Sequence, residues 1–422
     1  MRRTSATALT DSSLLSVTEA TLPDNRPSRI DPWSAFCQLY VVALTGAAVA
    51  VASRFRNFLE EKFTLDAIWI QATLNIPDPS LDPADPFRNT AFVYRILGLA
   101  DLPDVAAMAA IAVFGVALFA AVRWSELSRL TPMGLAAISV SYVLALIYLA
   151  QYSKEFVSIV LVALVLLLPR GSIPEVVLVG AMVGYAITIR PYWGIVVVLY
   201  VVGRILLPRV RGLVPVLIFV VATYGCLQVV FNKILGETLS FSRVAVNSMR
   251  ADIHISVGSL IVDFLPDHVG LQWLNAFLVF LSLLFPWPLI LGGSPTYVVM
   301  AVVLGFLWGL GAWSILQIQR ERAAVRRGRR AQSARRAPRG GALRALLSER
   351  TPRPERAVAL LLALVIVQAI FEPDYGSYVK HMVPALPLFL ALLPLTARRS
   401  PNHTTPGSAE PGIFPGPKGE PS

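Results

Sequence analysis

Eleven apolar runs divide the chain, at 33–53, 104–122, 132–150, 156–169, 174–189, 191–207, 213–231, 271–291, 294–318, 357–371 and 382–396. Crossing about 30 Å of hydrocarbon at 1.5 Å per residue takes roughly 20 helical residues, and about 17 suffice. The stretch 174–207 would make a helix of about 51 Å, too long for one crossing. Arg190-Pro191 lies at its centre, and a proline turns the residue before it away from helix. Two helices joined at Arg190 are therefore predicted. The same reasoning splits 132–169 at Gln151-Tyr152-Ser153-Lys154-Glu155. The expected fold class is all-α, a polytopic transmembrane bundle of about ten spans, with no internal repeat.

The polar segments between the runs give an orientation, because arginine and lysine collect in cytoplasmic loops. With Arg2, Arg3, Arg26 and Arg29 inside, the turns holding Arg123 and Arg129, then Arg170, then Arg204, Arg209 and Arg211 also fall inside. The outward segments are then 54–103, the Ser153-Lys154-Glu155 turn, the Arg190 turn and 232–270. Nine crossings before residue 319 would put the next, arginine-rich block outside, so one run must fail to cross. The first candidate is 271–291, interrupted by Pro286-Trp287-Pro288 and followed by Gly292-Gly293, as a re-entrant or interfacial element. The second is 156–169, at about 21 Å. Ten crossings place 372–381 outside. Residues 1–32 and the Pro/Gly-rich 397–422 are expected to be cytoplasmic and disordered. In the first outward loop, Phe63 to Leu74 and Phe87 to Leu99 are amphipathic and carry Asp66, Arg88 and Arg95. Such helices lie in the membrane interface or else cover the bundle.

Composition agrees with the pattern. Of 422 residues 55% are hydrophobic and only 15% charged, and the mean hydropathy is +0.63; a soluble domain has too little interior to hide that much apolar surface. The formal charge of +11 is local: thirteen arginines and three glutamates between Arg320 and Arg356 contribute +10 of it. No aromatic residue is interleaved there, so the block reads as a cytoplasmic anchor to anionic lipid and not as a nucleic-acid site. Cys37 and Cys226 both lie in apolar runs and make neither a disulfide framework nor a metal site. Ala48-Val49-Ala50 resembles a cleavage site, but 33–53 is read as a retained first span. Frequent Ala, Arg, Val and Gly point to a GC-rich bacterial genome. The expected location is the bacterial cell membrane, multi-pass, with both termini cytoplasmic. Nucleotide-binding and zinc-protease motifs are absent, as is a Gly-x-Ser-x-Gly elbow.

Ionisable residues near membrane depth are costly and usually face a cavity, a partner or a substrate. Four outward places qualify. Lys154 and Glu155 follow a span directly; neighbours on a helix do not face each other, so each needs its own partner. Lys154 can hold a phosphate or simply snorkel at the helix end. Arg190, followed by Pro191, Tyr192 and Trp193, offers a planar guanidinium suited to a diphosphate, beside aromatics that stack on a sugar or anchor at the interface. The loop 232–270 carries Arg243, Arg250, Asp252, His254, Asp263, Asp267 and His268. His254 is its candidate general base, a solvated loop histidine being the alternative; the two histidines show no metal spacing. Finally, Glu372, Asp374, Tyr375, Tyr378, Lys380 and His381 crowd into ten residues. Glu372 and Asp374 can orient hydroxyls and Lys380 and His381 can meet phosphate, or the group locks the last two helices by ion pairs.

Phe63-Thr64-Leu65-Asp66, Ser153-Lys154-Glu155, Arg190-Pro191-Tyr192-Trp193, Asn275 with Phe285-Pro286, and Glu372-Pro373-Asp374-Tyr375-Gly376-Ser377-Tyr378 together resemble bacterial O-antigen and capsular polysaccharide polymerases. More loosely, they resemble the wider class of membrane glycosyltransferases that use polyprenyl-linked donors. The resemblance spans roughly 55–390. It implies metal-independent glycosyl transfer without a cofactor, in which a glycan leaves its undecaprenyl diphosphate carrier for another lipid-linked unit. It also implies that outward arginines, here Arg190 and then Arg250, hold diphosphate. Implied partners are the lipid-linked glycan, membrane lipids and other polysaccharide-assembly membrane proteins. The chain departs from the family in its modest loop 232–270 and lacks a two-acid signature, since Asp66 stands alone. Alternatives are a transferase of single sugars from polyprenyl phosphate with Asp66 as base, a transporter or flippase, and a non-catalytic scaffold.

Overall fold

A computed structural model of the protein describes residues 32–76, 80–82, 85–127, 130–169, 171–209, 212–252, 259–266, 268–291, 295–332 and 353–392. The expected disordered ends, 1–32 and 397–422, lie outside the described residues except for Pro32, which begins the first helix, and so does most of the basic block, 333–352. Within them the chain is helical, with no strand and one isolated antiparallel bridge between Leu260 and Asp374. The helices are α1 (Pro32–Phe55), α2 (Glu61–Leu74), α3 (Pro86–Ile96), α4 (Pro103–Val122), the single turn α5 (Trp124–Leu127), α6 (Pro132–Leu149), α7 (Glu155–Leu167), α8 (Ser172–Thr188) and α9 (Trp193–Leu206). After them come α10 (Leu213–Val230), α11 (Phe241–Asp252), α12 (Gln272–Leu284), α13 (Trp287–Leu291), α14 (Pro295–Gln332), α15 (Arg353–Phe371), α16 (Tyr375–Met382) and α17 (Leu386–Leu390).

Local chemistry sets the helix ends. Pro86, Pro103 and Pro132 open α3, α4 and α6 at positions where a missing N–H costs nothing. Asp85 accepts from the amides of Phe87 and Arg88, and Thr131 from that of Gly134. The predicted breaks are present: α6 and α7 separate at 150–154, and α8 and α9 at Arg190-Pro191. Gly212, at φ 88°, makes the left-handed turn into α10 that a side chain would resist.

Among the described residues five segments are long and apolar enough to cross a membrane: Pro32–Phe58, Pro103–Val122, Pro132–Leu149, Leu213–Leu235 and Pro354–Phe371. Five shorter apolar helices accompany them, at Glu155–Leu167, Ser172–Thr188, Trp193–Leu206, Gln272–Leu284 and Tyr297–Trp313. The protein is an α-helical membrane protein. Its axis is α15, 72% buried over its apolar window, whereas α1 and α10 lie at the periphery at 22% and 17%.

Contacts at the turns define two ends of the bundle. At one, Arg56 pairs with Asp104 at 3.4 Å, Asn89 donates to the Thr188 carbonyl, and Tyr152 donates to the Leu99 and Ala100 carbonyls at 2.7 Å. At the other, Trp33 donates to the Leu130 carbonyl at 2.9 Å and Arg356 to that of Leu168 at 2.9 Å. The amphipathic stretches Phe63 to Leu74 and Phe87 to Leu99 fall on α2 and α3, which lie at the first end.

Two regions differ from the expected pattern, and a third follows it. The segment 372–381 is helical from Tyr375, because Asp374 caps α16 by accepting from the Ser377 amide and hydroxyl, each at 2.8 Å. The run 271–291 breaks where its prolines predict, into α12, of 13 residues, and the short α13, with Phe285-Pro286 between them. Asn275 accepts from the Phe264 amide at 2.8 Å and the Trp287 ring lies 5.4 Å from that of Phe264, so both ends of this segment meet one residue. Helix α14 runs 38 residues, about 57 Å, carrying the start of the basic block as helix to Gln332.

Candidate functional site

The first end of the bundle gathers charged side chains from four separate segments. Helices α2 and α3 are stitched to the 150–154 turn: Gln151 donates to the Phe63 carbonyl at 2.8 Å, and the Ser153 amide donates to the Tyr94 hydroxyl at 3.1 Å. That brings Lys154 Nζ to 3.5 Å from Asp66 Oδ2, with the ammonium also 3.9 Å from the centre of the Phe87 ring. Lys380 of α16 pairs with the same Asp66 oxygen at 2.5 Å.

Next to this group, Arg190 Nη2 donates to Glu155 Oε1, and Arg190 Nη1 donates to the Tyr192 hydroxyl at 2.7 Å. His381 Nε2 lies 3.4 Å from Glu155 Oε1, while its Nδ1 hydrogen-bonds Glu372 Oε1. One imidazole thus spans two carboxylates. The Tyr192 ring stacks on Phe371 at 5.4 Å, fixing the α8–α9 turn against the end of α15. Glu155, Glu372 and Arg190 are buried, and the Oε2 atoms of both glutamates are buried without a hydrogen bond. Leaving such oxygens dry costs free energy that a bound hydroxyl or water recovers.

Burial pushes the Glu372 carboxyl up to about 8, and Asp374 and Glu155 add to the shift against Arg190 and Lys380. At neutral pH Glu372 holds its proton and can donate to His381. Burial also acts to raise Asp66, but Lys380 and Lys154 outweigh it and leave that carboxyl below its ordinary value. Lys154 is lowered, first by burial and then by Arg190 and Lys380. Lys154, Lys380 and Arg190 thus face Asp66, Glu155 and Glu372, with the His381 ring between the two glutamates.

Of the sequence candidates, Asp66, Lys154, Glu155, Arg190, Tyr192, Glu372, Lys380 and His381 share this cluster. The others stand apart. Asp374 caps α16, Tyr375 donates to Ser282 at 3.0 Å, and Trp193 packs edge-on against Tyr185 at 4.7 Å. His254 lies outside the described residues; Arg250 sits on α11, and its side chain is likewise outside them. The 232–270 loop still bears on the site, because Arg243 pairs with Asp263 and donates to the Ala369 carbonyl at 2.6 Å, and the Ile261 amide donates to the Pro373 carbonyl at 2.8 Å. These bonds brace the backbone on both sides of Glu372.

A second buried cluster lies at the other end, and sequence reasoning missed it. Glu175 accepts from Tyr200 at 2.7 Å, from Arg204 Nε at 3.0 Å and from Arg356 Nε at 2.7 Å. Glu355 lies 3.8 Å from Arg204. By sequence position Arg204 reads as a topological charge and Arg356 as part of the basic block. The signal was Glu175, a lone acid in an apolar run. Among the described residues no group of His, Cys, Asp or Glu is arranged to hold a metal ion. Compared with protein-family models, curated proteins and solved structures, the chain matches none.

Proposed function

We propose that the protein is a membrane glycosyltransferase that moves a sugar from a polyprenyl phosphate-linked donor to an acceptor hydroxyl, with Asp66 as general base. The observation that carries this reading is the seating of Asp66, delivered by α2, between Lys154 and Lys380. A phosphate entering the cluster competes for both lysines. Asp66 then loses its cationic partners, becomes more basic and accepts the proton of the acceptor hydroxyl. The hydroxyl oxygen bonds to the anomeric carbon, the bond from that carbon to the phosphate oxygen breaks, and the phosphate leaves with the electron pair, neutralised by the lysines. Arg190, already engaged by Glu155 and Tyr192, orients the carboxylate and imidazole that line the acceptor side.

We further propose ten crossings in a bacterial cell membrane, with both termini cytoplasmic and the Asp66 cluster outside. On this topology α12 and α13 form a re-entrant element, supported by the meeting of Asn275 and Trp287 at Phe264.

The test is a deletion strain whose lipid-linked sugars are extracted and weighed by mass spectrometry. Accumulation of a polyprenyl monophosphate-linked sugar, reversed by wild type, is expected. Accumulation of diphosphate-linked repeat units with loss of long chains would transfer the case to polymerisation. An unchanged pool would remove glycosyl transfer altogether.

A further inference from the structure

Helix α11 turns its polar side chains inward and its apolar ones outward, the reverse of a surface helix on a soluble protein. Arg243 is buried, pairs with Asp263 and donates to the Ala369 carbonyl at 2.6 Å, and Asn247 donates to the Ile261 carbonyl at 2.9 Å. Phe241, Val244 and Met249 are 51%, 51% and 66% exposed, and with Ala245 and Ser248 they recur at the spacing of one helix face. The hydroxyl on that face is already used, because Ser248 donates to the Ala245 carbonyl at 2.9 Å. From Phe241 to Met249 the face carries no charged residue. Two connections fix the level of α11. The span Leu213–Leu235 ends with Val229, Ile234 and Leu235 exposed, and Gly236, at φ 71°, breaks the helix there, five residues before α11 begins. On the inner side, Ala369 lies two residues inside the end of the span Pro354–Phe371, about 3 Å along its axis. The Arg243 hydrogen bond therefore holds α11 level with the edge of the hydrocarbon.

We propose that α11 is an interfacial helix that docks on the lipid leaflet at this end of the bundle, with Phe241, Val244 and Met249 sunk among the upper acyl chains. Water would leave the apolar face uncompensated. A second copy of the chain would have to displace lipid from a face that already lies at lipid level and takes up where the exposed end of the preceding span stops. Lipid needs neither condition, and an amphipathic helix lying in the interface plane is the form it accepts. The docking also reaches the charged cluster. Lipid holds α11 against the bundle, and Arg243 and Asn247 tie α11 to the Ala369 carbonyl and to the 259–263 strand-like segment whose Ile261 amide bonds the Pro373 carbonyl. The backbone on both sides of Glu372 is thus braced from the membrane surface, whatever reaction the cluster carries out.

The experiment uses the full-length protein, with Cys37 and Cys226 replaced, in phospholipid nanodiscs. Nitroxide labels are placed singly at Val244→Cys and Met249→Cys, and electron paramagnetic resonance reads their collisions with oxygen, which partitions into lipid, and with a water-soluble nickel chelate. Ile218→Cys, at an exposed apolar position of α10, and Glu237→Cys, in the exposed turn after it, give the lipid and aqueous references. The oxygen-to-nickel ratio at Val244 and Met249 should exceed that at Glu237 several-fold and approach that at Ile218. A ratio equal to that at Glu237 would overturn the docking. So would spin–spin broadening at either label that disappears on dilution with unlabelled protein, the mark of a second copy on the face. The bracing is read by hydrogen exchange in Val244→Asp/Met249→Asp, where the amides of 369–373 should exchange several-fold faster while those of α4 keep wild-type rates and so report a folded bundle. Wild-type exchange at 369–373 in that variant would overturn the bracing.

Discussion

Asp66 is 17% exposed at its side chain and held by lysines that come from positions 154 and 380. A carboxylate in that setting is ionised and poorly basic until something takes the cations away. Asp66→Asn keeps the shape but accepts no proton, so transfer should fall by about 100-fold or more in a donor-consumption assay. Glu372 is the second titrating group to follow. Its folded value of about 8 lies above the ordinary 4.5, so its stabilising contribution is complete below about 4.5 and lost as pH rises through about 8. Wild-type thermal stability should drop between about pH 4.5 and pH 8, and Glu372→Gln should flatten that drop; equal slopes in the two proteins would remove Glu372 as the cause. Residue types in the cluster were legible from sequence because each breaks an apolar context. Their pairing was not, since Asp66 and Lys380 meet only through the packing of α2, α7 and α16.

At the scale of elements, helix breaks were readable wherever backbone chemistry forces them: Pro191 behind Arg190, and the polar run at 151–155. The start of α16 was missed although its cap was in plain view, Asp374 three residues before Ser377. Apolar periodicity alone cannot tell a polar loop from the first turns of a capped helix. Helix α15 links the two clusters, with Arg356 near its start and Glu372 just past its end. Glu175→Ala leaves Arg204 and Arg356 buried without their carboxylate, which should cost about 3–5 kcal/mol. The expected result is a large loss of melting temperature in detergent. A melting temperature unchanged from wild type would mean that the cluster adds nothing to stability.

For the whole molecule, hydropathy declared a helical membrane protein, while the number of crossings depends on segments whose length is ambiguous. Thirteen residues in α12 are about 20 Å, between a span and a re-entrant hairpin, and only the shared contact with Phe264 speaks to the choice. In a background with Cys37 and Cys226 replaced, a cysteine at Glu237 should react with a membrane-impermeant maleimide in intact cells. One at Arg209 should react only after permeabilisation; the reverse pattern would invert the proposed orientation. The central claim is that this bundle transfers a sugar through Asp66. Its most direct test is to supply the lipid-linked sugar that accumulates in the deletion strain to purified wild type and Asp66→Asn in matched nanodiscs. The account predicts that wild type consumes the donor and releases polyprenyl phosphate, while the equally folded variant is about 100-fold slower or worse. Equal consumption by both, or none by wild type, would contradict it.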